Sequence, residues 1–228
     1  MQPARLHIAP QASIPVAWLQ LLHLADSALP IGALAHSFGV ETLVAENGLS
    51  EGGLPTFFAE WLSGAGCMEA SFCLRASAIG NQQDWHSLNI ELSSFKPARE
   101  SREASLRLGK RFLGLATGLI QRPSLEYRGD VHLATAFGLV GAALDIEPGM
   151  VAAAYLHQSI FGAISACQRL LPLGQSSAMH LLWTLKPGII QAVEAAATAT
   201  NDDLWNLQPM LEIASMRHPH LTTRLFIS

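Results

Sequence analysis

Charge is scarce in this chain. Asp, Glu, Lys and Arg make up only 14% of its 228 residues, and the formal net charge is −4. That balance argues against general binding to nucleic acid or to an anionic membrane surface. Aromatic residues are few as well, at 7%. Cysteine is confined to Cys67, Cys73 and Cys167, an odd count with no CxxC pair. A disulfide framework or a structural zinc site is thereby disfavoured, and a reducing compartment such as the cytoplasm fits. There is no HExxH, no GxGxxG and no Walker loop, so nothing marks a zinc-protease helix or a nucleotide cradle. The opening stretch MQPARLHIAPQAS holds prolines and one arginine but no apolar block. It is expected to form a flexible leader over 1–14 rather than a signal peptide.

What is present is small and aliphatic. Half of the residues are hydrophobic, in runs such as AAAYL and AVEAAATAT, and mean hydropathy is +0.26. Alanine-rich, β-branch-poor sequence favours helix, and a chain of this length should bury roughly 70–75% of its unfolded surface. Breakers such as Pro30, Gly52-Gly53, Pro97, Pro123, Pro148-Gly149, Pro172 and Pro187-Gly188 divide it into segments of helical length. Sustained period-2 alternation is rare, so sheet is disfavoured. Helices are predicted over 15–28, 33–47, 55–79, 83–94, 98–121, 131–144, 149–171, 175–185, 188–199 and 208–217. The fold class is all-α: a single domain of about ten helices over 15–217, with a tail at 218–228. The stretch 148–168 lacks Asp, Glu, Lys and Arg and could span a bilayer by length. Its His157, Gln158, Ser159, Ser165 and Gln168 argue instead for a buried central helix.

The 98–121 segment has the clearest amphipathic pattern. At 100° per residue, Ala104, Leu108, Phe112, Leu115 and Leu119 share one face, with Arg99, Glu103, Arg107 and Lys110 opposite. Six of the 14 basic residues fall between Lys96 and Arg111, against two acids. Two readings follow. Arg99–Glu103 and Glu103–Arg107 are four apart and can pair on a solvated face. Alternatively, the cluster, which includes Arg102, docks an acidic partner.

Among the nine histidines, only His218 and His220 lie close together, two apart across a proline. Two imidazoles without a third ligand make a weak metal signal. Asp26, Glu41 and Glu46 could gather near the first turns, but nothing marks them as an acid–base pair. His36 and His157 stand in apolar helical contexts and are expected as core or interface histidines. The residues alone thus describe a helical binding protein with no evident reaction centre, no metal site and no cofactor.

Three stretches taken together carry more: LADSALPIGALAHSFGVE (24–41), RLLPLGQ (169–175) and RHPHLTTRLFIS (217–228). They resemble the F-type urease accessory protein (UreF) family, and the likeness runs from about residue 15 onward. RESREASLRLGKRF (99–112) and AFGLVGAALDI (136–146) fall where that family has similar segments. The resemblance implies an all-α homodimer that is not an enzyme. It implies binding to the D/H-type urease accessory protein and recruitment of the G-type accessory GTPase. Together these would modulate GTP hydrolysis and support nickel insertion into apo-urease. Carried over by position, His218, Arg224, Leu225 and Phe226 are expected to bind the D/H-type protein. Glu41, Arg169, Gln175 and, from the basic helix, Arg102 are expected to face the GTPase. Two positions depart from the family pattern: Ala33-Leu34 follow Gly32 where Gly and an aromatic are common, and Pro219 follows His218 where Glu is common.

The tail poses a physical alternative. Leu225, Phe226 and Ile227 can each gain roughly 1.5–3 kcal/mol on burial, but ordering a short segment opposes this. The tail can pack back on its own core, or stay loose and order on a partner; physics alone leaves the two level. The resemblance favours the partner. The competing functional reading is a helical carrier or enzyme for a metal or small molecule, with a pocket lined by His36 and His157. A membrane-attached helical protein is a third.

Overall fold

The computed structural model describes residues 15–122, 125–126, 128–204 and 208–228. The expected leader at 1–14 and the breaker Pro123 lie outside them. The described residues are helical and contain no strand. Eleven α-helical segments follow in order: α1 (Val16–Leu24), α2 (Val40–Ala45), α3 (Leu54–Trp61), α4 (Cys67–Ser77), α5 (Gln82–Ser94), α6 (Arg99–Ile120), α7 (Leu133–Ala143), α8 (Pro148–Leu170), α9 (Gln175–Thr184), α10 (Lys186–Thr198) and α11 (Pro209–Arg217).

α7 is the centre of the bundle. Its sequence LATAFGLVGAA is apolar on every side, and a helix of that kind can only sit in a core. α4, α6 and α8 pack around it. Phe112 of α6 stacks on Phe137 of α7 at 4.2 Å, and Phe137 meets Tyr155 of α8 at 5.4 Å. Gly138 lets α4 approach closely; a Cβ there would collide with the Cys73 carbonyl. α8 is long and apolar enough to cross a membrane, but half of its most apolar window is buried against other helices. It serves here as a core helix, as its glutamines and serines predicted.

Most predicted helices are present, and the differences are local. The expected helix 55–79 is continuous but changes to a π-turn over Leu62–Gly66 between α3 and α4. The run LSGAG places two glycines where wider turns cost little. The expected helix 33–47 is broken. A 3-10 turn at Ala33–Ala35 gives way to an extended residue at His36 and positive φ at Phe38 (49°) and Gly39 (89°). α2 then starts in a new direction. Gly39 has room for no side chain, since a Cβ would stand 2.7 Å from both the Leu211 carbonyl and Ser215 Oγ of α11.

On α6, Ala104, Leu108 and Phe112 are fully buried. Leu119, assigned to the same face, is 57% exposed because the helix runs past the core before ending at Gln121. The Arg99–Glu103 and Glu103–Arg107 pairs form at 3.8 and 3.9 Å. Lys96 does not belong to the cationic face: it is buried and paired with Glu69.

Candidate functional site

The break at 36–39 makes a seat for the end of the chain. Glu41 lies in the first turn of α2, where the helix dipole favours a carboxylate. It is only 4% exposed, which would be unfavourable without partners. The tail supplies them. Glu41 Oε2 pairs with His218 Nε2 at 2.7 Å and accepts from the Phe226 N–H at 3.2 Å. Its Oε1 accepts from the Leu225 N–H at 2.6 Å. Two residues on, the Ile227 N–H donates to the Ala35 carbonyl at 2.8 Å. The Ser228 carbonyl accepts from the backbone N–H groups of Ser37 (2.5 Å) and Phe38 (3.2 Å) and from Ser37 Oγ (3.1 Å). His36 Nδ1 and Ser228 Oγ share a hydrogen bond of 2.7 Å. Burial, then Arg107 and Arg111, lowers the His36 pKa to about 4, so its ring is neutral at physiological pH.

Arg169, at the end of α8, closes the clasp. Its guanidinium lies 4.3 Å over the Phe226 ring, a cation–π contact, and donates to the Leu34 carbonyl at 3.3 Å. The exposed turn at Leu34, one of the positions that departs from the family pattern, therefore holds an arginine through its backbone. The second departure, Pro219, sits within a 3-10 turn at His218–His220 that brings His218 inward.

This arrangement corrects the expectation of a loose tail: it packs on the chain's own body. It also divides the expected contact residues. His218 (1% exposed), Phe226 (6%) and Glu41 (4%) are buried anchors and are not offered to a partner in this conformation. Arg224, Leu225, Ile227 and Arg169 face outward, with Leu225 at 55% and Ile227 at 64% exposure. Arg102 and Gln175 take other partners. Arg102 folds back on the carbonyls of Lys96 (2.6 Å) and Pro97 (3.3 Å), and Gln175 accepts from Gln168 at 2.8 Å. His36, Ser37 and Ser228 were missed as site residues. No local signal marked them, since their place depends on the turn at Phe38 and Gly39 and on the docked tail.

The expected carboxylate cluster does not form. Glu46 pairs with Arg217 at 3.1 Å, and Asp26 caps the Ala28 N–H at 2.8 Å. No group of three metal-capable side chains occurs among the described residues. The competing pocket is not assembled either: His36 lines a cavity beside α3, α4, α6 and α8, whereas His157 is outside it, half-buried near Lys186.

Other polar groups in the core have chemistry worth weighing. Glu69 accepts from both Lys96 and the Tyr155 hydroxyl, and all three are buried. His132, fully buried, holds Ser105 Oγ at 3.0 Å on Nδ1 and Ser93 Oγ at 2.9 Å on Nε2. Burial first, then Lys96 and Arg102, lowers its pKa to about 3, which makes the ring a poor general base at neutral pH. The three cysteines are unpaired, and burial raises the pKa of each, to about 12 for Cys167. None is an activated thiolate. The run GLSEG at 48–52 has GxSxG spacing, but Ser50 is exposed before a 3-10 turn rather than raised on a strand-to-helix elbow.

Fold and site together define an all-helical protein whose most elaborated surface is a self-docked tail. The sequence model of the UreF family matches residues 50–186. The urease accessory protein UreF of a Picosynechococcus species is 34% identical, over 92% of this chain and 99% of the relative. Those of a Nostoc species and an Arthrobacter species are 36% and 33% identical, each over 92% of this chain and 96% of the relative. The chain belongs to the UreF family.

Proposed function

We propose that this chain is a non-enzymatic scaffold in urease maturation. In that reading it works in the cytoplasm as a homodimer, bridges the D/H-type accessory protein and the G-type GTPase, and biases GTP hydrolysis. Nickel is the cargo that the assembly delivers to apo-urease. One observation carries the docking part: the tail is folded on its own body with Arg224, Leu225 and Ile227 outward beside Arg169. A preformed segment binds without first losing its chain entropy. His218, Glu41 and Phe226 contribute by holding the tail in register rather than by touching the partner. Two other surfaces support docking: exposed Val16, Leu19 and Leu22 on α1, and exposed Met210, Ile213 and Met216 on α11.

The arrangement also suggests how two partners could be coupled. Arg169 touches the tail through Phe226, so a protein bound to the tail and one bound to Arg169 share a side chain. Partners that favour the same arrangement of it would then aid each other's binding.

The test is co-expression with the D/H-type and G-type proteins of the same urease system, followed by size-exclusion chromatography. Wild type should co-elute with both. The double variant Leu225→Asp/Ile227→Asp, altered only at exposed positions, should keep its melting temperature and lose the D/H-type partner. Undiminished co-elution of that variant would reject the tail as the docking element.

A further inference from the structure

The docking reading leaves the sulfur chemistry of the molecule unused, and burial sorts that chemistry into two groups. The thiols are withdrawn. Cys73 and Cys167 are buried, Cys67 is half-buried, and burial raises the pKa of each. Peroxides attack thiolates in preference to thiols, so none of the three is a ready target. A thioether needs no deprotonation, and exposure governs its oxidation.

The methionines divide by exposure. Met68 is buried, and Met150 and Met179 are half-buried. Among the described residues the exposed ones are Met210, at 63%, and Met216, at 44%. Both lie on α11, and the packing of that helix is the reason. Its Ala214 and Ser215 are buried where it meets α2 and α6, and Ser215 Oγ accepts from Ser101 Oγ of α6 at 3.0 Å. Met210, Ile213 and Met216 are three apart and share the opposite, outward face. The helix is also tied to the outward part of the tail. Glu41 holds both His218, the residue after α11, and the N–H of exposed Leu225.

Oxidation alters this face in a defined way. The methionine sulfur donates a lone pair to one oxygen of hydrogen peroxide as the O–O bond breaks. The sulfur loses two electrons and becomes a sulfoxide; the second oxygen leaves as water, taking the proton of the first. A flexible apolar side chain becomes polar, and covering it then requires desolvation of the S–O group.

We propose that Met210 and Met216 form a peroxide-sensitive switch on α11, whose oxidation to the sulfoxide releases the D/H-type accessory protein. The inference rests on the docking reading and adds a control to it. A sulfoxide reductase drawing on thiols resets the switch.

The test treats the full-length protein with dilute hydrogen peroxide, removes the excess with catalase and maps oxygen uptake by peptide mass spectrometry. Met210 and Met216 should be oxidised before Met68, Met150 and Met179. Titration with untreated D/H-type protein should then show an affinity lowered about tenfold or more. Incubation with methionine sulfoxide reductase and dithiothreitol should restore it. The double variant Met210→Leu/Met216→Leu should bind as wild type does and keep its affinity after peroxide. Earlier oxidation of Met68, Met150 or Met179, unchanged affinity of the oxidised protein, or an equal loss in the double variant would overturn the proposal alone. So would a loss of self-association with D/H-type binding intact. Failure of the untreated wild type to bind would overturn the docking reading and the switch together.

Discussion

Two buried glutamates organise this molecule, and they do different work. Glu69 binds side chains of the body: Lys96, which precedes α6, and Tyr155 on α8. Glu41 binds the tail, through His218 and two backbone N–H groups. Loss of the first leaves a buried ammonium inside the bundle. Loss of the second frees a segment that lies outside the main apolar cluster of the bundle. The contrast separates what folds the protein from what equips it to dock, and several measurements can break or sharpen it.

The largest effect belongs to the body. Glu69→Leu strands Lys96 in the interior and should lower unfolding free energy by roughly 3–5 kcal/mol in urea titration. Adding Lys96→Met should recover much of it, because the pair is then replaced by apolar packing.

Acid comes next, and it acts in both regions. His36 at the clasp and His132 in the body have pKa values of about 4 and about 3, below the ordinary 6.5. The folded state therefore holds each ring neutral, while the unfolded chain takes up protons below about pH 6.5. Their stabilising contribution is complete above that pH and lost as pH falls toward 4 for His36 and toward 3 for His132, with the larger loss at His132. His36→Gln should flatten the upper part of the acid slope in a series of urea midpoints.

Glu41→Ala should act locally. Tail docking weakens by about 2–3 kcal/mol, so trypsin should cleave after Arg224 roughly 30–150 times faster. The urea midpoint of the bundle should move little. A global loss as large as that of Glu69→Leu would erase the distinction between the two glutamates. Arg169→Ala is the smallest change, about 0.5–1 kcal/mol from the exposed cation–π contact with Phe226, read by the same cleavage rate.

The two regions also differ in how much of them could be read in the sequence. α6 and α7 were legible because helical periodicity and an unbroken apolar run are local properties. The break at 36–39 was not, because its cause is the approach of Leu211 and Ser215 of α11 from far along the chain. The clasp follows the same rule. Glu41, Arg169, His218 and Phe226 were all marked by family likeness, and they do come together. Their roles were hidden, since nothing near Glu41 in sequence announces that its hydrogen bonds are filled by residues more than 170 positions away. Charge counting misled once: Lys96 looked like part of a basic face but is the buried partner of Glu69.

The most direct test is amide hydrogen exchange of the free protein at Leu225, Phe226 and Ile227. A tail seated on Glu41 and Ala35 predicts slow exchange at all three, with Leu225 and Phe226 losing protection in Glu41→Ala. Exchange at unfolded-chain rates in wild type, while α2 stays protected, would contradict it.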